Sequence, residues 1–283
     1  MFLDRSSRIV QIRQAVRMNS LERAKILIAE LSAREPDNFE GPFWRGYLEL
    51  RQANYYDAVR DLRRAEALNP SASVLKTLAV SYYALHQYRL FLLKMREAIE
   101  KDAADFAPYY YIGRYYDSEL TDFPRAAEYF QQALARNPDH IRSHYYLGYC
   151  HEVEQKFAPA ELEYTRALER AGKHGSADGL PYQGLSRIRM TQRRTSDALP
   201  LARRAVELGA RNAASHKLLA RVYSELGRNA DAAGEWKIAS TLDPTDASIL
   251  YRLFRSYLAL GQAANAQEAL SLYKNIAALY GTN

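Results

Sequence analysis

The 283-residue sequence predicts an all-α solenoid of about eight helical hairpins, running through residues 1–283 as a single domain. Three observations predict it. A small residue, Ala, recurs at positions 24, 58, 126, 160, 198, 232 and 266, with Phe91 in the one remaining place. Successive intervals are 34, 33, 35, 34, 38, 34 and 34 residues, so the chain repeats a unit of about 34 with one insertion. Around each anchor the same phrase returns: a partner residue twelve or thirteen positions before it, usually a bulky apolar residue four after it, often another Ala seven after it.

The copies follow in order. The first (5–38) runs from Ile12 to Ala24, Ile28 and Pro36. The second (39–72) has Gly46, Ala58, Leu62, Ala65 and Pro70. The third (73–105) is the weakest, with Ala79, then Phe91 where a small residue is expected, then Met95 and Ala98. The fourth (106–140) has Gly113, Ala126, Phe130, Ala133 and Pro138. The fifth (141–174) has Gly148, Ala160, Tyr164 and Ala167. The insertion follows as "AGKHGSADG", 171–179, whose Gly and small polar residues read as a longer loop. The sixth (179–212) has Ser186, Ala198, Ala202 and Ala205. The seventh (213–246) has Ala220, Ala232, Trp236, Ala239 and Pro244, and the eighth (247–280) has Phe254, Ala266 and Leu270. No Pro closes the third, fifth or sixth copies, so splayed or differently packed helix ends are expected there.

Each unit reads as two amphipathic helices of roughly 12–15 residues joined by a short turn. Ala and Gly let two helix backbones approach, and the large side chains fill the space between neighbours. A closing Pro cannot continue a helix and stops the second one. One hairpin cannot bury its apolar face alone, so stacked neighbours build the core.

The pattern resembles the tetratricopeptide repeat family. "YYYIGRYY" (109–116), "HYYLGYCH" (144–151) and "HKLLARVY" (216–223) carry the first-helix part. "FPRAAEYFQQALARNP" (123–138) carries the second. The likeness covers essentially the whole chain. It implies a right-handed α-α superhelix with a concave face lined by the first helices.

Composition narrows the function. A net charge of +6 and a pI of about 9.2 are a moderate basic bias, with no block of five like charges to suggest a disordered tail. A single Cys allows no intramolecular disulfide and no multi-Cys zinc site. In "MFLDRSSRIVQIRQAV" the charges of Asp4, Arg5, Arg8 and Arg13 interrupt any signal-peptide core. No window approaches the roughly 20 apolar residues of a membrane span. A cytoplasmic setting is expected, with the periplasm or another compartment open if a leader has been removed.

Cys150 and His151 stand side by side and raise the question of a reactive site. Adjacent residues on a helix point about 100° apart, so the pair meets poorly as a nucleophile and its base. His151 also occupies the packing position held by Tyr116, Tyr223 and Tyr257 in other copies. His140 and His144 share a face, but no Cys or carboxylate completes a metal set with them. No Gly-rich phosphate loop and no Ser-centred elbow is present. The reading is scaffolding, with no enzyme activity, cofactor or metal expected.

The resemblance implies a binding groove of first-helix residues. Those singled out are Phe43, Trp44, Tyr47, Tyr83, Tyr110, Tyr145, Tyr149, Arg187, Lys217, Arg221, Arg252 and Arg255. The middle is Tyr-rich and the carboxyl-terminal half is a ladder of cations. Residues 173–210 hold seven Lys or Arg against three Asp or Glu. Tyr offers a broad amphipathic contact and Arg a bidentate fork for carboxylates, which suits a peptide or protein segment with an acidic stretch. Some members of the family hold acidic chaperone termini in a clamp of Lys, Asn and Arg; Lys217 and Arg252 offer cations, but the clamp's Asn residues have no match here. RNA or single-stranded nucleic acid is the alternative ligand, since aromatics interleaved with Arg can stack on bases. Against it, 33 Asp and Glu are spread through every copy. The last helix, "NAQEALSLYKNIAALY" (265–280), keeps Leu270, Tyr273, Ile276 and Leu279 on adjoining faces. A homodimer contact, continuation into a longer protein and a simply exposed edge are three readings of that face.

Overall fold

A computed structural model describes residues 5–173, 175 and 178–280. Among them lie sixteen α-helices and no strand. The chain falls into two compact units, Met1–Tyr115 and Tyr116–Asn283. The first contains α1 (Arg5–Arg17), α2 (Leu21–Arg34), α3 (Glu40–Arg51), α4 (Tyr55–Leu68), α5 (Ala72–Ala84) and α6 (Tyr88–Lys101). Helix α7 (Ala107–Ser118) carries the division point. The second unit contains α8 (Phe123–Arg136), α9 (Ile141–Val153), α10 (Phe157–Lys173), α11 (Leu180–Thr191) and α12 (Thr195–Leu208). It ends with α13 (Ala213–Glu225), α14 (Asn229–Leu242), α15 (Ala247–Ala259) and α16 (Ala263–Tyr280). No helix among the described residues is long and apolar enough to cross a membrane.

The repeat anchors are the core. Ala24, Ala58, Ala126, Ala160, Ala198 and Ala232 are fully buried, as are Leu62, Phe130 and Tyr164 four residues beyond their anchors. Small side chains bring the two helices of a hairpin together, and the large one four residues on fills the seam with the next hairpin. Phe91 is buried too: it packs edge-on against Tyr83, with ring centroids 5.3 Å apart, and lies 5.7 Å from Tyr115. The third copy therefore accommodates a large anchor by surrounding it with tyrosines.

Every hairpin turns in the same way. One residue with positive φ follows each first helix: Asn19, Ala53, His86, Thr121, Gln155, Arg193, Gly227 and Gly261. In seven of the eight, the next N–H reaches back five residues to a helical carbonyl, as in Asn54 to Glu49 and Arg228 to Tyr223. The fourth is one residue longer, with Asp122 N–H bonding Tyr116 O. This is the left-handed C-cap that satisfies the last carbonyls of a helix. Only two of the eight positions are Gly, so six hairpins hold a side-chain-bearing residue in a region that disfavours it.

Two expectations about helix ends change. The third copy closes without Pro but otherwise like its neighbours: Asp102 N–H bonds Ala98 O just as Asn69 bonds Ala65 and Asn137 bonds Ala133. The insertion is partly helix. Helix α10 has 17 residues where α4, α6, α8, α12 and α14 have 14. Residues 171–173 of the expected loop thus belong to α10, with Ala171 buried. Of the rest of that stretch, residues 174, 176 and 177 lie outside the described residues. On the last helix, Leu270, Tyr273 and Ile276 are half-buried and Leu279 is 75% exposed.

Candidate binding site

In the first unit the aromatic candidates mostly pack on one another. Phe43 meets Trp44 edge-on at 5.1 Å, and Trp44 meets Tyr47 at 5.6 Å. The Trp44 indole N–H donates to Glu40 Oε2 at 2.6 Å. Tyr83 leans on Tyr88 and Phe91, and Tyr110 is buried against Tyr111. Lys76 pairs with Asp105, whose other oxygen accepts from Ala107 N–H at the start of α7.

The second unit brings its candidates together around Tyr164. This fully buried ring lies between α9 and α11, where Gly148 and Gly184 stand. A Cβ at Gly148 would come within 2.8 Å of the ring, and one at Gly184 within 2.4 Å, so both helices require Gly to admit it. The Tyr164 hydroxyl donates to Glu152 Oε2 at 2.6 Å. Arg187 grips the same carboxylate with two bonds, Nε to Oε1 at 2.7 Å and Nη2 to Oε2 at 2.8 Å. Its guanidinium also lies 5.7 Å from the centroid of the Tyr149 ring. Tyr145 is buried, 5.6 Å from Tyr164 and 5.0 Å from Tyr146.

The electrostatics follow from this enclosure. Burial opposes the charge on Arg187, but the hydrogen bonds and charge of Glu152 outweigh it and raise its pKa above the ordinary value. Burial raises the pKa of the Tyr164 phenol, and the neighbouring carboxylate adds to the rise, so the ring is a neutral donor. Tyr145, Glu152, Tyr164 and Arg187 thus form one satisfied network inside the first-helix face.

The remaining cations divide into paired and unpaired. Lys217 pairs with Asp246, which also caps α15 by accepting from Ser248 N–H at 2.9 Å. This repeats the Lys76–Asp105 arrangement at the same separation of 29 residues. Arg189 pairs with Glu161, Arg194 with Asp197 and Arg204 with Glu207, so with Arg187 four of the seven cations of residues 173–210 have carboxylate partners. Arg221 and Arg255 are exposed and make no ion pair among the described residues. Arg252 is exposed and lies 5.8 Å from the centroid of the Trp236 ring.

Register explains the division. Arg187, Arg221 and Arg255 occupy one repeat position, 34 residues apart. Glu152 occupies the facing position in the copy before Arg187. The equivalent residues before Arg221 and Arg255 are Met190 and Ser224, which carry no charge.

Cys150 and His151 are not brought together as a reactive pair. Cys150 is fully buried, and burial, with Asp117 adding to it, pushes its thiol up to about 12. His151 Nδ1 lies 3.8 Å from Glu154. His144 has both ring nitrogens occupied, by Glu163 at 2.6 Å and the Pro138 carbonyl at 2.9 Å. His216 is held alike by Glu235 and the Ala210 carbonyl, so the device recurs. The signal was present: His144 and His216 fill the same place in their copies, each 19 residues before its Glu.

A sequence profile described as tetratricopeptide repeat matches residues 115–175 and 184–247. A chain of the APC/C hetero-tetramer Cut9–Hcn1 superposes with a TM-score of 0.77 at 15% identity, over 89% of this chain and 49% of that one. A tetratricopeptide repeat protein from Parabacteroides merdae gives 0.65 at 15% identity, over 89% of this chain and 98% of that one. PilF of Pseudomonas aeruginosa gives 0.63 at 20% identity, over 75% and 94%. The chain thus spans about half the length of the Cut9–Hcn1 component it matches. No curated protein sequence matches it. Residues 115–175 and 184–247 thus carry the tetratricopeptide repeat pattern, and the fold is that of the tetratricopeptide repeat structures it superposes on.

Proposed function

We propose that the chain is a non-enzymatic scaffold that holds a peptide or protein segment, acidic in character, on the first-helix face of its second unit. The observation that carries this reading is the pair Arg221 and Arg255, exposed and without ion pairs among the described residues. Arg187, in the same register, is consumed by Glu152. Two forks at successive copies favour a ligand that presents carboxylates along its length.

Nucleic acid fits less well. The tyrosines that would stack on bases are enclosed: Tyr110 and Tyr145 are each 8% exposed. Tyr149 faces the Arg187 guanidinium.

Site-specific photo-cross-linking tests the proposal. Benzoylphenylalanine at Leu258, an exposed first-helix residue that leaves both arginines in place, should give protein adducts in lysate of the source cell. The same probe at Leu162, an exposed second-helix residue, should not. Adducts from position 258 should be lost when Arg221 and Arg255 are changed to Glu. Equal adducts at both positions, or adducts of RNA alone, would reject the proposal.

A further inference from the structure

Where the seventh and eighth copies meet, a cavity of about 420 Å³ opens. Ser224, Asn229, Trp236, Tyr251, Arg252 and Arg255 line it, with Ser248, Ser256 and Ala259. No carboxylate is among these residues. The nearby Asp246 is already engaged by Lys217 and by its own helix cap. The lining therefore holds two guanidinium groups, several hydroxyls and an amide, and no opposing charge.

Trp236 is the most enclosed of these residues, 1% exposed, and its indole N–H has no hydrogen-bond partner. Buried donors are almost always satisfied, so this orphan marks a seam that its own residues leave incomplete. Arg252 stands over the same indole ring, which holds its charge near this donor. Arg255 is free to turn toward the cavity, because Ser224 occupies the place from which Glu152 holds Arg187.

We infer that this cavity is a carboxylate subsite, in which Arg252 and Arg255 hold one acidic group of a bound peptide with neutral donors completing its shell. The inference rests on the peptide-binding reading above and assigns one pocket within it. A planar carboxylate matches the guanidinium fork, and the absence of acid in the lining removes the repulsion it would otherwise meet. The group arrives either as a Glu or Asp side chain or as a chain terminus.

The sequence has two Trp residues, which provide the test. In a ¹H–¹⁵N spectrum of the full chain they give two indole signals. Trp44 is already bonded to Glu40 and serves as the internal reference. The probe is the acetylated, amidated peptide Gly-Glu-Tyr-Glu-Gly, compared with its Gln counterpart. A third peptide carries Gln at both places and a free terminal carboxyl. The Trp236 signal should move saturably with the Glu peptide or the free-acid peptide while Trp44 stays fixed. Affinity should drop by about tenfold or more for the Gln amide, and by a similar factor in Arg255→Gln and Arg252→Gln. Both variants are exposed side chains, so retention of the spectrum's other signals confirms their fold. An unmoved Trp236 signal, equal movement with the Gln amide, or a stronger response to inorganic phosphate would each overturn the assignment. Protein adducts at position 258 with a silent Trp236 would overturn only this subsite and leave the scaffold reading in place.

Discussion

The seam between the fifth and sixth copies and the seam between the seventh and eighth use the same register to opposite ends. At the first, Glu152 meets Arg187, Tyr164 donates into the pair, and two glycines close over the ring. At the second, Ser224 faces Arg255, Trp236 keeps an unpaired N–H, and a cavity remains. An Arg in a repeat protein is thus structural or available according to one residue in the copy before it. The cation itself carries no such information.

The comparison can be broken most severely at Tyr164. Tyr164→Ala removes a fully buried ring that two helices are shaped to admit, and should cost about 3–5 kcal/mol in urea denaturation. Next comes the contrast of the two arginines. Arg187→Ala strands Glu152 and the Tyr164 hydroxyl and should cost about 2–4 kcal/mol. Arg255→Ala, exposed and unpaired, should stay within about 0.5 kcal/mol. Equal costs for the two would dissolve the distinction between a closed seam and an open one.

Acid should act on the closed region through its carboxylates. Burial opposes the charge of Glu163, yet bonds and charge from His144 and Arg166 prevail and hold its carboxyl below the ordinary range. Glu161 is held low by Arg189. A carboxylate with a depressed folded-state pKa contributes stability that is complete above its ordinary value, near 4.5, and is lost as pH falls through the depressed one. Glu163→Gln should be less stable at neutral pH and should fall less steeply on acidification. Thermal melts at pH 7 and below pH 4 compare the two slopes. The smallest effect sharpens the comparison. Ser224→Glu places at the open seam the residue that closes the other, and should change stability by less than about 1 kcal/mol because the pair is exposed. It should nonetheless abolish the response of Trp236 to the Glu peptide.

The repeat itself was plainly legible. Ala and Gly at fixed spacing, and large residues four positions on, are the core of the structure, because backbone contact and seam filling depend on side-chain size alone. The hairpin turns were hidden. Ala53, His86 and Arg193 adopt left-handed backbone without any residue type to announce it. The end of α10 is not legible, because Gly172, commonly a stop signal, sits inside the helix. For the candidate site, the first-helix cations lay in the expected register, but Arg187 and Lys217 proved to be engaged by acids 35 and 29 residues away. Tyr110 and Tyr145 are enclosed by neighbouring rings, which the pattern of one copy does not reveal.

The Tyr164 wedge has a mechanical consequence. Under tension applied at the carboxyl terminus, hairpins of a stacked array peel away one after another, each holding mainly its neighbour. The seventh and eighth copies lack a side-chain bolt of the kind formed by Tyr164, Glu152 and Arg187. They should yield at low force. The rupture of the fifth copy from the sixth should then stand out as the tallest peak in the pulling trace of the second unit, and Arg187→Ala should erase it.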